Sequence, residues 1–142
     1  MDQRKVKILW VDDDIDRLKL QPYLDAFEDK DFEIIKVANP DDVDKAIESN
    51  RDIQCIILDI SMPTGESIGV KESKGGMRTG LLVLGKLVSN DSIRLIKKVV
   101  FTIVSNAEVK EYCNSRGIPC LLKQDYVASS FVAKIIEEIR KP

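Results

Sequence analysis

Five short apolar runs, rich in β-branched and aromatic residues, alternate with amphipathic stretches along the whole chain. They are VKILWV from Val6 to Val11, FEIIKV from Phe32, IQCIILDI from Ile53, KVVFTIVS from Lys98 and IPCLLK from Ile118. A strand that is apolar at nearly every position has no polar side to offer water, so it must be covered on both faces. Strands of that kind, separated by helices, predict a parallel sheet sandwiched between helical layers.

Between the runs the spacing predicts helices. Ile15 to Phe27 is amphipathic, with Pro22 calling for a kink or an irregular first turn. Asn39-Pro40-Asp41-Asp42 reads as a helix start, with Asn39 as cap, proline at the first helical position and acids in the first turn. Met77 to Val88 places Leu81, Leu84 and Leu87 on one side. Glu108 to Arg116 is a short helix, and Tyr126 to Ile139 closes the chain as an amphipathic one. Five β/α units fit an α/β fold, a flavodoxin-like doubly wound parallel sheet of order 2-1-3-4-5. The 142 residues leave no room for a second domain of ordinary size, so 1–142 is read as one domain.

One stretch breaks the rhythm. PTGESIGVKESKGG, from Pro63 to Gly76, is polar and glycine-rich where such a connection usually takes about 2–6 residues. It lacks the lysine and hydroxyl pattern of a phosphate-binding loop. It is read as an insertion within the domain.

Composition excludes several kinds of chemistry. Net charge is −2, which gives no electrostatic footprint for nucleic acid or an anionic membrane. The apolar runs are strand-length, too short to span a bilayer, and the N-terminus has no secretory pattern, so a cytosolic setting is expected. The chain contains no histidine, which removes Ser-His-Asp and Cys-His catalysis and most transition-metal sites. The cysteines Cys55, Cys113 and Cys120 show no CxxC spacing and are read as reduced thiols, mostly buried. Any bound ion should be hard and held by oxygen.

The acids supply a place for one. In a doubly wound sheet, ligands bind beyond the carboxyl ends of the strands, where strand order reverses. The first strand ends in Asp12 and Asp13, the neighbouring third strand in Asp59; Asp14 reads as a plain helix-start residue. Two carboxylates about 5 Å apart repel by roughly 3 kcal/mol at an effective dielectric of 20. A divalent cation offsets that repulsion, and an all-oxygen donor set points to Mg²⁺. Ser105 ends the fourth apolar run and Lys123 the fifth, at the same edge. A hydroxyl, an ammonium and a metal ion around one carboxylate suit phosphoryl transfer, with Asp59 as oxygen nucleophile. Asp-rich strand ends are common as turn and cap residues, and a lone serine or lysine after a strand is usually just solvated. The joint placement is what argues for chemistry.

Those residues resemble the receiver domain of two-component response regulators over nearly the whole chain. ILWVDDD is similar to the family's acidic first strand, IILDISMP to its phospho-acceptor strand, GMRTGLLVL to the start of its third helix, VVFTIVSNA to the strand bearing its Ser or Thr, and LLKQD to its lysine motif. The resemblance implies Asp59 as phospho-acceptor, with Asp12, Asp13 and the Ser61 backbone carbonyl joining it around Mg²⁺. It implies Ser105 and Lys123 as the residues drawn in on phosphorylation. The implied partners are a histidine kinase or histidine phosphotransfer protein as donor and a downstream protein target, with no direct role for nucleic acid or membrane. A homodimer through the last helix is left open.

The departures are specific. Residues 64–76 are inserted, the fourth helix is about one turn short, and Gln124 stands where proline usually follows the lysine. Cys120 replaces the switch aromatic, and Asn106 replaces a small residue. These keep a second reading in view, a degenerate receiver that acts as a non-switching interaction module. A third is a Mg²⁺ phosphohydrolase of the haloacid-dehalogenase type, which wants an acid two residues after the nucleophile, where Ser61 stands.

Overall fold

Each apolar run becomes a strand because its side chains alternate between two cores. In β1 (Val6–Val11), Leu9 and Val11 enter one core while Ile8 and Trp10 enter the other. The computed structural model describes residues 5–13, 15, 18–50, 52–59, 84–86, 95–103 and 107–141. The insertion at 64–76 and most of the Met77–Val88 helix lie outside the described residues.

The remaining strands are β2 (Phe32–Val37), β3 (Ile53–Leu58), β4 (Lys97–Thr102) and β5 (Cys120–Leu122). All pairings are parallel and the order is β2-β1-β3-β4-β5, as the sequence led us to expect. The helices are α1 (Gln21–Asp29), α2 (Val43–Ser49), α3 (described at 84–86), α4 (Ala107–Ser115) and α5 (Ala128–Arg140). Pro22 is met as expected: a 3-10 turn at Leu18–Leu20 precedes α1, and the proline falls in the first helical turn. Asn39 caps its turn, its Oδ1 accepting the Asp41 amide at 2.9 Å.

The two faces differ in character. Under α1 and α5 the core is aromatic: Trp10, Phe27, Phe101 and Phe131 are fully buried, and the Phe101 and Phe131 rings stack at 3.8 Å. The Tyr23 hydroxyl reaches across to donate to the Tyr126 carbonyl at 2.9 Å, tying α1 to the start of α5. Under α2, α3 and α4 the core is aliphatic, with Leu9, Val11, Ile56, Leu58 and Val100 meeting Val43, Leu84, Val109 and Cys113.

Two strand boundaries correct the sequence reading. β4 stops at Thr102, three residues before Ser105, and β5 stops at Leu122. The reason is pairing. β3 accompanies β4 only as far as Leu58 beside Val100, and β5 only as far as Leu122 beside Thr102, so among the described residues no strand pairs with β4 beyond Thr102.

Candidate functional site

Register brings the acids together. β1 and β3 shift by one residue between Lys7 and Ile8, after which Val11 pairs with Leu58. The next residues, Asp12 and Asp59, therefore leave the sheet side by side. Both are held by continued ladder bonds, Asp12 N–H to the Val37 carbonyl and Asp59 N–H to the Val11 carbonyl, each 2.9 Å. Beyond Asp12 the chain turns sharply, the Ile15 amide returning to the Asp12 carbonyl at 3.0 Å. That turn places Asp13 at the rim.

Oxygens of Asp12, Asp13 and Asp59 lie within 4.8 Å of one another, with Asp12 and Asp59 buried and Asp13 exposed. Lys123, the first residue after β5, enters the same space. Its Nζ donates to Asp12 Oδ2 at 2.7 Å and to Asp59 Oδ2 at 3.4 Å. Burial of the Lys123 ammonium favours proton loss, but the charge on Asp59 and the hydrogen bond to Asp12 more than offset it, so its pKa is raised. The donor set is all oxygen, anionic and open at the Asp13 side, which suits a hard divalent ion that keeps part of its water shell.

Four of the expected site residues thus meet: Asp12, Asp13, Asp59 and Lys123. Ser61, Ser105 and Asn106 lie outside the described residues. The sequence reading passed over Thr102, which is fully buried at the carboxyl end of β4. With Leu58 beside Val100, Asp59 is level with Phe101, and Thr102 stands one position further along. Thr102 in turn pairs with Leu122, the residue before Lys123. A signal for it existed, since Thr102 closes the all-apolar part of its strand, but Ser105 ended the longer run and drew the assignment.

Several solved response-regulator receivers share this arrangement of strands and helices. A CheY-like response regulator receiver domain protein from Methanospirillum hungatei JF-1 superposes with a TM-score of 0.70 at 21% identity, covering 96% of this chain and 94% of that one. The chemotaxis protein CheY4 of Vibrio cholerae gives 0.72 at 16% identity, with 95% and 99% covered. A LuxR-family DNA-binding response regulator from Staphylococcus aureus gives 0.71 at 21% identity, again with 95% and 99% covered. No protein-family model and no curated protein matches the sequence. Among the described residues no helix is long and apolar enough to cross a membrane. Strand order, helical layers and nearly complete overlap agree with the motifs quoted above: the chain has the fold of the response-regulator receiver domains.

Proposed function

We propose that this chain is a phospho-acceptor signalling switch, taking a phosphoryl group on Asp59 from a histidine kinase or histidine phosphotransfer protein and passing the signal to a downstream protein in the cytosol. The observation that carries this reading is the Lys123 ammonium set between Asp12 and Asp59, at 2.7 and 3.4 Å, beside a third carboxylate. An aspartate buried for stability alone needs one cation. A crowd of acids around a single lysine is a site for incoming positive charge and transferred phosphate.

Mg²⁺ fits this donor set, with Asp12, Asp13 and Asp59 as its carboxylates; the family resemblance adds the backbone carbonyl of Ser61, which lies outside the described residues. Bound there, it supplies charge neutralisation for the transferring oxygens. The chain's own groups do the rest. An Asp59 oxygen attacks the phosphorus of the donor; the P–N bond of a phosphohistidine breaks and the imidazole leaves, or the P–O bond of a small acyl phosphate breaks and its carboxylate leaves. Lys123 then moves from the bare carboxylate toward the phosphoryl oxygens, keeping its contact to Asp12. The proton stays on Lys123 throughout, because its raised pKa keeps the ammonium charged near neutrality.

A hydroxyl completes the set, and register favours Thr102 for it over Ser105. Counting from Thr102 adds three residues to the span before Lys123, which removes the apparent one-turn shortfall around α4. Ile103, 63% exposed, then occupies the following position in place of Asn106. Phosphorylation rates separate the two: Thr102→Ala and Ser105→Ala should differ, with the larger change at Thr102.

The deciding experiment is intact-mass spectrometry after incubation with acetyl phosphate, with and without Mg²⁺. One phosphate adduct that requires Mg²⁺ and is absent in Asp59→Asn is the expected result. A folded, Mg²⁺-binding protein that takes no phosphate would instead support the non-switching interaction module, which Cys120 at the switch position already favours.

A further inference from the structure

The amino ends of β4 and β5 frame a cleft of about 740 Å³, at the end of the sheet opposite the acids. Two local features build it. The Val100 amide donates to the Pro119 carbonyl at 2.9 Å, which draws the approach to β5 alongside β4. Gly117, with a positive φ of 66°, turns the chain out of α4, and the Ile118 amide returns to the Cys113 carbonyl at 2.9 Å. The end of α5 closes the other side through Glu138 and Lys141.

The lining has two characters. Val99, Ile118 and Pro119 give it an apolar wall, and Leu95 adds a large apolar side chain that is 89% exposed. With them stand Lys97, Lys98, Arg116 and Lys141, four cations against the one carboxylate of Glu138 among the lining residues. That carboxylate already meets Lys141 at 2.8 Å and Lys134 at 3.4 Å. Two of the cations are held in place. Lys98, only 8% exposed, donates from Nζ to the Ile96 carbonyl at 2.8 Å. The Arg116 guanidinium lies 3.7 Å over the Tyr112 ring, and its Nη1 donates to the Tyr112 carbonyl at 3.1 Å. Charge placed in advance reduces the ordering cost of binding.

We propose that this cleft binds a small organic anion, a carboxylate carried on an aromatic or branched apolar body. Its volume suits one, since small-molecule sites run from roughly 300 to 1,000 Å³. An inorganic ion would leave the apolar wall facing water, and an uncharged ligand would leave the surplus positive charge in place. A ligand with both parts covers Leu95 and Pro119 and offsets that surplus. Burial holds the Lys98 pKa below the ordinary lysine value, so its charge is costly where it stands. An anion in the cleft lowers that cost. The site lies at the far end of the sheet from Asp59 and does not rest on the phospho-acceptor reading.

The test is titration of the full chain with naphthalene-2-carboxylate, followed by amide NMR, with naphthalene-2-methanol and acetate as comparisons. Saturable shifts should gather at Lys97, Lys98, Gly117 and Ile118, and the alcohol and acetate should each bind at least tenfold more weakly. Lys98→Met should weaken binding of the carboxylate at least tenfold, and Leu95→Ser should weaken it severalfold. Glu138→Gln, which removes the acid from the cleft, should tighten it. Should the variant at buried Lys98 fail to fold, Arg116→Gln, at an exposed position, is expected to weaken binding severalfold and decides in its place. No saturation at millimolar carboxylate, equal binding of the alcohol, shifts centred on Asp59, looser binding in Glu138→Gln, or a preference for an acidic peptide of glutamates would overturn the proposal.

Discussion

Two carboxylate–lysine clusters, each containing a buried acid, lie at opposite ends of the sheet and are balanced in opposite ways. At the carboxyl end, Asp12 and Asp59 share Lys123 while Asp13 crowds in to within 4.8 Å. At the other end, Glu138 near the close of α5 meets Lys141 at 2.8 Å and Lys134 at 3.4 Å. Glu138 lines a cleft with Lys97, Lys98 and Pro119, at the amino ends of β4 and β5. Burial favours protonation of Glu138, but its two lysines more than reverse this and lower its pKa. One cluster gathers acids around a lysine, the other gathers lysines around an acid. Burial of an ion pair is weak evidence for either stability or function. The sign of the surplus charge is more telling, because a surplus of acids in a polar cleft is a standing invitation to a cation.

That contrast can be broken at several points. The largest effect should come from Lys123→Met. Removing the lysine leaves two buried carboxylates facing each other, a change expected to cost about 3 kcal/mol in metal-free urea unfolding. Added Mg²⁺ should recover most of that loss, through its selective binding to the folded chain. The pH dependence follows from the raised Lys123 pKa. Its contribution is complete below the unfolded value of about 10.4 and fades as pH climbs through the higher folded value. The gap between wild type and Lys123→Met should therefore hold steady to about pH 10 and close above it.

Next in size is metal affinity. Asp12→Asn should weaken Mg²⁺ binding at least tenfold by calorimetry, about 1.4 kcal/mol, whereas Glu138→Gln should leave it unchanged. Equal affinities in wild type and Asp12→Asn would remove the metal from the carboxyl-end cluster. A smaller change, of unusual sign, is expected at the rim. Asp13→Asn relieves like-charge repulsion and should stabilise the metal-free chain by about 1 kcal/mol, the value for charges nearly 5 Å apart in a water-like dielectric. The smallest effect belongs to the other cluster: Glu138→Gln should destabilise by less than about 1 kcal/mol, because its lysines are partly in solvent. If both acid-to-amide changes shift stability in the same direction, the two clusters are of one kind and the comparison fails.

Much of this was legible in the chain itself. VKILWV, FEIIKV and IQCIILDI have no polar face, so they could only be strands covered on both sides. The aspartates directly after the first and third runs, with a lysine after the fifth, placed the site at one sheet edge, because strand ends are where a doubly wound fold gathers its ligands. Asn39 and Pro22 announced their turns for purely local reasons, a side-chain cap and a missing amide hydrogen.

Other features were decided only in three dimensions. Hydrophobicity continues through Ile103 and Val104 toward Ser105, yet β4 ends at Thr102, because a strand lasts only as long as its neighbours supply hydrogen bonds. That is why the fully buried hydroxyl at the strand end was missed. Nor was the turn from α4 into β5 legible as such; Gly117 with its positive φ and the helix cap around it set that direction. Nor did the sequence separate Glu138, which lies between Glu137 and Ile139, from Asp59, between Leu58 and Ile60, as buried acids of opposite surroundings. Local sequence determines which segments are strands and where their charges sit along them. Pairing, register and helix docking determine which of those charges meet, because a field in a partly dry cleft depends on distances between residues far apart in the chain.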